Sequence, residues 1–283
     1  MKILRSPFNY TGSKYKLMPK INELLPEKIV HFEDWFCGSG VVFNNLAKPP
    51  QVIFANDAVH SVVGMLVQMG MTPPDDFING VSALMIAGGL GRNKPEAYYK
   101  FRDNFNRGVY NEDAYMHALY ALIAHAYNNI WRFNAKGEFN APFGKRTFND
   151  KMQENLREYI ARLHAHENLV YLNWDFMSLP TDHLQDDDLV FADPPYAGGD
   201  AVYNGRWDAA RETALLKKLD GLNCKFMLTS ATVIKGTPNA ILIEWLKSHP
   251  HYNVVNLGDT FSGSYRATRG NGGETNEVIV MNY

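Results

Sequence analysis

The run Leu189-Val190-Phe191-Ala192 leads directly into Asp193-Pro194-Pro195-Tyr196. The four apolar residues read as a buried strand. The two prolines then end it. Neither carries an N–H and each fixes φ, so the chain beyond Ala192 is a rigid turn that aims the Pro194 carbonyl. By average residue usage this tetrapeptide should arise by chance in roughly one chain per thousand of this length. Its place after an apolar strand argues against a mere proline-rich turn with a buried Tyr.

The rest of the chain supplies a sheet for that strand. Further apolar runs at 29–36, 51–56, 169–173, 225–229, 252–256 and 277–281 also read as strands. Helical patterns lie between many of them. One at 209–219 repeats Leu215, Leu216 and Leu219, and another runs to Lys247 with Pro238 in its first turn. Alternating strands and helices predict an α/β sheet that binds ligands at its strand C-terminal ends. From about 71 to 161 no convincing strand is found. Asn111-Glu112-Asp113 has the form of a helix cap with an acidic first turn, and its helix would pack through Leu119, Leu122, Ile123 and Ala126. A second helix should start near Phe148-Asn149-Asp150 and reach about His166. Residues 90–160 hold eleven Lys and Arg against eight Asp and Glu, in a chain of net charge −2. A wholly basic coat protein is excluded, but a locally basic insert is not.

No apolar run approaches the ~18–20 residues of a membrane span. The N-terminus lacks the apolar core of a signal peptide, so neither secretion nor membrane insertion is expected. The two cysteines, Cys37 and Cys224, are far apart, and the nine histidines include no pair spaced four apart, so no metal site is expected.

Two features accompany the Asp-Pro-Pro-Tyr turn. Asp34-Trp35-Phe36-Cys37-Gly38-Ser39-Gly40 follows a strand, and Gly38 and Gly40 permit a tight turn and close backbone approach to a ligand. Phe43 stands where a dinucleotide fingerprint has its third glycine. Asp57, at the end of the next strand, can hold a ribose diol. Together they favour an adenosine-containing cofactor, with NAD and S-adenosylmethionine both open. The turn itself suits an aromatic exocyclic amine, whose lone pair is delocalised. The Asp193 carboxylate and the Pro194 carbonyl can accept its two N–H groups, Pro195 keeps the turn stiff, and Tyr196 offers a ring on which a flipped base can stack.

At this point the chain resembles the Dam-type DNA adenine methyltransferases, and the likeness covers nearly all of it. Phe8-Asn9-Tyr10-Thr11-Gly12-Ser13-Lys14-Tyr15 resembles the family's Trp-x-Gly-Gly-Lys motif, with Tyr10 and Ser13 replacing Trp and Gly. Asp34-x-Phe36-x-Gly38-x-Gly40 resembles its glycine loop, Asn56-Asp57 its ribose acid, and Trp174-Asp175-Phe176 the acid beside the cofactor adenine. Arg132-Phe133-Asn134-Ala135-Lys136-Gly137-Glu138-Phe139-Asn140-Ala141-Pro142-Phe143-Gly144 is similar to a run in the family's recognition insert, with Phe133 for Tyr and Lys136 for Arg. The run from Gly270 to Thr275 resembles its closing hairpin.

The resemblance implies a seven-stranded Rossmann-like methyltransferase core, residues 1–65 and 162–283, with a helical target-recognition insert, residues 66–161. It implies transfer of a methyl group from S-adenosylmethionine to the amino group of a flipped adenine in double-stranded DNA, at a GATC-like palindrome. Tyr10, Lys14, Phe36, Gly38, Gly40, Asp57, Asp175 and Asp193 would hold the cofactor, with Lys14 on its carboxylate. Asp193, Pro194, Pro195 and Tyr196 would be catalytic. Arg132, Phe133, Asn134, Lys136, Lys145 and Arg146 would meet DNA, Phe133 beside the extruded base. The implied setting is restriction-modification or DNA methylation in the cytoplasm of a bacterial or phage-infected cell, by a monomer or weak dimer without a metal. The alternatives are methylation of RNA adenine or of the cytosine amino group, and a cofactor-bound DNA-binding protein without turnover. Cys37 lacks the preceding Pro that accompanies a cytosine-ring nucleophile.

Overall fold

The computed structural model describes residues 2–196, 207–258 and 275–283. The stretch 197–206 and the closing motif at 270–274 lie outside the described residues.

Among the described residues eight strands form: β1 (His31–Asp34), β2 (Val52–Asn56), β3 (Leu169–Leu172), β4 (Leu189–Ala192), β5 (Lys225–Ile234), β6 (Thr237–Pro238), β7 (Asn253–Asn256) and β8 (Asn276–Met281). They make one sheet in the order β3-β2-β1-β4-β5-β8-β7, with β6 paired to β5 off this path. β1 to β5 are parallel, and β8 runs antiparallel between β5 and β7. All four residues of β4 are buried, which is why its sequence is uniformly apolar. The chain winds outward from β1 to β2 and β3, then returns to β4 on the other side. The ends of β1 and β4 therefore flank a topological switch point, the place where sheets of this kind bind ligands.

The sequence reading anticipates the seven strands on the path but not β6. β5 continues past Thr229 to Ile234, and Lys235 and Gly236 take positive φ (51° and 80°), the geometry of a two-residue hairpin turn. Pro238 therefore ends a short edge strand, where no N–H is needed, rather than opening a helix. The helix after it begins at Ala240 and is capped by Asn239, whose side chain accepts the Leu242 N–H.

The chain divides into two compact units: Gly12–Val63 with Asn168–Tyr283, and Lys2–Thr11 with Gly64–Glu167. The first holds the sheet, α1 (Met18–Leu24) and the start of α2 (His60–Met71). It also holds α7 (Ala209–Asp220) and α8 (Ala240–Ser248). Leu215, Leu216 and Leu219 of α7 pack with Val190, Phe226 and Trp245, as their spacing predicts.

The second unit is helical: α3 (Pro74–Ala87), α4 (Pro95–Asn106), α5 (Glu112–His125) and α6 (Asp150–His164). Asn111 and Asn149 cap α5 and α6, each accepting an N–H three residues on at 3.0 Å. Every residue from Ala118 to His125 is buried, so α5 is packed all round and not on one side alone. Residues 2–11, expected with the sheet, group instead with this unit. Asn9 N–H donates to Asn129 O and Trp131 N–H to Asn9 O, both at 3.1 Å, and the Tyr120 hydroxyl donates to Pro7 O at 3.0 Å. No helix among the described residues is long and apolar enough to cross a membrane.

Candidate active site

The glycine loop at the end of β1 is held by the acid at the end of β2. Asp57 accepts the Gly38 N–H at 2.9 Å and the Val59 N–H at 2.8 Å. Gly38 and Gly40 adopt φ of 50° and 73°, as the tight turn requires. Asp57 is only 7% exposed, and burial pushes its carboxyl up to about 6 against those two hydrogen bonds. Asn56 adds a clamp that the sequence did not reveal: its side chain donates to Trp35 O and Trp174 O and accepts the Trp174 N–H. This ties the ends of β1, β2 and β3 together.

Beyond β3, Asp175 caps the short turn Phe176–Ser178 by accepting the Met177 N–H, and it pairs with Arg211 at 2.7 Å. Burial raises its carboxyl, but the Met177 N–H and the Arg211 guanidinium outweigh this and hold it low. The rings of Phe36, Phe176 and Trp207 surround one another at centroid distances of 5.5–5.6 Å. The Arg211 guanidinium lies over Phe176 at 4.9 Å. Phe36 and Trp207 keep part of their surface open. A flat apolar group with a polar edge suits this cluster. Trp207 and Arg211 carried no motif and were missed.

At the end of β4, Asp193 converges with Lys14 and with Thr229 of β5. Lys14 Nζ lies 2.6 Å from Asp193 Oδ1 and donates to Gly12 O at 2.9 Å. The Thr229 hydroxyl donates to the same Oδ1 at 2.6 Å. Pro194 is buried and Pro195 half-buried. The Tyr196 hydroxyl donates to Glu277 of β8 at 3.3 Å, and the Lys14 ammonium sits 5.6 Å from the Tyr196 ring centroid. Tyr196 keeps part of its surface exposed, yet burial of its phenol, then the negative Asp193 and Glu277, push it well up and keep it a donor. Burial also raises Glu277, with Lys14 opposing.

Asp34 ends β1 at the start of the glycine loop. Both its oxygens are buried and lack a well-formed hydrogen bond. Burial, then the negative Asp193 and Asp57, push its carboxyl well up, and the nearby Phe36 and Phe43 N–H groups oppose this only in part. A cationic ligand group would relieve that site. Burial, with Asp57 and Asp34 beside it, likewise raises the Cys37 thiol and so disfavours its thiolate. Tyr10, expected with these residues, lies in the helical unit, its ring 6.4 Å from Trp131.

In the helical unit the run 132–144 forms a small hairpin. Asn134 builds its tip, accepting the Lys136 and Glu138 N–H groups and donating to the Glu138 carboxylate. Gly137 takes a φ of 77° and Lys136 is exposed at the tip. Arg132, expected near DNA, spends its guanidinium on Asn140, donating to Oδ1 at 2.9 Å and to the backbone O at 2.6 Å. Phe133 is half-buried and packs edge-on to Phe139 at 5.5 Å. The next segment presents Lys145, at a φ of 51°, and Arg146, which donates to Asn129. Gly144 fixes it, since a Cβ there would meet Ala126 O at 2.3 Å. Lys145 and Arg146 line a cavity of about 550 Å³ with Arg5, Arg92 and Lys151, and no acid lines it. Those last three cations are too scattered along the chain to form a local pattern.

Sheet order and strand-end residues thus define an α/β protein of the doubly wound kind, with its topological switch point where β1 and β4 part. Within that class, the chain belongs to the family of D12 class N6 adenine-specific DNA methyltransferases, whose pattern matches residues 10–259. It is similar to the type II methyltransferase M.FokI of Planomicrobium okeanokoites, at 33% identity over 292 residues, 99% of this chain and 43% of that protein. It is also similar to modification methylase LlaI of Lactococcus lactis subsp. lactis, at 32% over 289 residues, 99% of this chain and 43% of that protein. The DNA adenine methylase of Escherichia coli (strain K12) matches at 28% over 206 residues, 72% of this chain and 69% of that protein. The chain therefore spans less than half the length of the first two relatives.

Proposed function

We propose that the chain methylates the amino group of adenine in double-stranded DNA, using S-adenosylmethionine. The observation that carries this reading is Asp193-Pro194-Pro195-Tyr196 at the end of β4, next to the glycine loop at the end of β1, with Asp193 held through one oxygen. The residues fit the cofactor. Phe36, Phe176 and Trp207 would enclose its adenine, with Asp175 at the edge. Asp57 has further lone pairs for the ribose hydroxyls, and Gly38 and Gly40 let the backbone come close. The buried Asp34, which lacks a well-formed hydrogen bond, would take the ammonium group, and a further donor of Lys14 the carboxylate. When bound, the cofactor supplies an electrophilic methyl group on a sulfonium.

The chain's own part is to hold the amine. Asp193 Oδ2, the oxygen other than the one nearest Lys14 and Thr229, accepts one N–H and the Pro194 carbonyl accepts the other. Together they draw the nitrogen toward a tetrahedral, nucleophilic form. The Tyr196 ring, tethered by Glu277, backs the flipped base. Methyl transfer to the amine would leave a surplus proton on the nitrogen, for which the Asp193 carboxylate is the adjacent acceptor. Orientation and fixed charge lower the barrier, with no covalent enzyme intermediate.

The helical unit is proposed as the DNA reader. The cavity with Arg5, Arg92, Lys145, Arg146 and Lys151 suits phosphates, and Lys136 at the hairpin tip suits a base edge. Asn134 acts by shaping the tip, and Phe133 offers a half-buried ring for the gap left by the extruded base. Arg132 serves the hairpin's own geometry. The target proposed is a GATC-like palindrome, and a modification role beside a restriction enzyme fits the reading. Labelled methyl transfer to duplex DNA and to RNA, followed by nucleoside digestion, tests it. Label in N6-methyladenosine from RNA alone, or in N4-methylcytosine, would overturn it, and so would DNA retention without transfer.

A further inference from the structure

We infer that Thr229 is a positioning residue for this reaction: its hydroxyl and the Lys14 ammonium lock one Asp193 oxygen so that the other faces the substrate amine. The inference rests on the function proposed above.

Three observations converge on it. The Thr229 hydroxyl donates to Asp193 Oδ1 and the Lys14 ammonium forms an ion pair with the same atom, each at 2.6 Å. A carboxylate turns easily about its terminal torsion, whose wells are broad and two-fold. A hydrogen bond and an ion pair on the same oxygen restrict that freedom and favour one direction for Oδ2. The second observation is the sheet register. Ala192 of β4 lies beside Leu228 of β5, so the next residues, Asp193 and Thr229, emerge side by side. Thr229 is 1% exposed, and its β-branch restricts the side-chain torsion, so the hydroxyl is fixed by the sheet and not by a loop. Lys14 cannot do this alone, because its ammonium ends a flexible four-carbon stem. The third observation is that the Thr229 hydroxyl also lies against the Tyr196 phenol, which in turn donates to Glu277. Thr229 thus stands between the acceptor of the amine and the ring that backs the base. A misplaced acceptor loses rate in the chemical step, on the order of a hundredfold for a 1 Å error, while cofactor and DNA contacts made elsewhere persist.

The test is the single-turnover rate of methyl transfer to duplex DNA, with the dissociation constants of S-adenosylmethionine and DNA, for wild type, Thr229→Val, Thr229→Ser and Thr229→Ala. Thr229→Val keeps the branched shape and loses only the hydroxyl. It should lower the rate about 10- to 100-fold while both dissociation constants stay within about threefold, a shift too small to explain the rate. Thr229→Ser and Thr229→Ala both lose the methyl group, but only the latter loses the donor. Their rates should differ at least about tenfold, with Ser near wild type. That comparison stands even if Thr229→Val folds poorly. Equal rates for Ser and Ala, or a folded Thr229→Val at wild-type rate, overturn the positioning role and leave the proposed function intact. Wild type that fails to methylate DNA adenine overturns both.

Discussion

Asp57 accepts the Gly38 and Val59 N–H groups, and in the proposed site it also accepts ribose hydroxyls. Only the anion can accept on every side, and burial places its titration at about 6. The sign follows directly: above that value the anion is present and binds, and as pH falls through it the proton competes with the cofactor. Cofactor affinity measured by calorimetry should therefore drop about tenfold between pH ~7.5 and pH ~5. Asp57→Ala should cost about 1–3 kcal/mol of binding at neutral pH and flatten that dependence. A wild-type affinity indifferent to pH, with Asp57→Ala unchanged, would move the ribose contact elsewhere. Asp34 belongs to the same scale. A buried carboxylate without a well-formed hydrogen bond is a cost to the free fold, and such costs concentrate where a ligand repays them.

Elements differ in how plainly the sequence announces them. Buried strands such as β4 were legible because a strand with sheet on both sides must be apolar throughout. The α5 and α6 starts were legible because Asn111 and Asn149 cap by a local hydrogen bond. β6 was not, because a two-residue edge strand has no period to read and Pro238 fits a helix start equally well. The site divides the same way. Glycine loop, ribose acid and proline turn are contiguous motifs. Thr229, Glu277, Trp207 and Arg211 reach the site only through sheet register or helix placement, which no local pattern encodes. The hairpin at 132–144 was legible as a motif, but the task of Arg132 was not, since its bonds to Asn140 close the loop on itself. Lys136 is the exposed cation at the tip, so Lys136→Ala should relax discrimination at one base pair by about 1–3 kcal/mol. Methylation across single-substituted sites measures this, and an unchanged preference profile would remove the hairpin from the reading role.

Taken as a whole the molecule is slightly acidic, with a net charge of −2. The proposed hold on DNA would then come from local patches and not from overall attraction. The cavity lined by Arg5, Arg92, Lys145, Arg146 and Lys151 is such a patch. Arg92→Ala and Lys151→Ala should weaken binding to all sequences alike, and each should reduce the slope of log affinity against log salt by about one. Loss of preference without loss of salt dependence would assign these side chains to base edges instead. In the proposed function the sheet unit carries the chemistry, centred on Asp193. The decisive measurement is single-turnover transfer of labelled methyl from S-adenosylmethionine to duplex DNA by wild type and by Asp193→Ala, with the product nucleoside identified. The account predicts N6-methyladenine from wild type. It predicts for Asp193→Ala a rate lower by at least ~2–4 kcal/mol of barrier, about 30- to 1,000-fold, with cofactor still bound. An Asp193→Ala rate within threefold of wild type would contradict it.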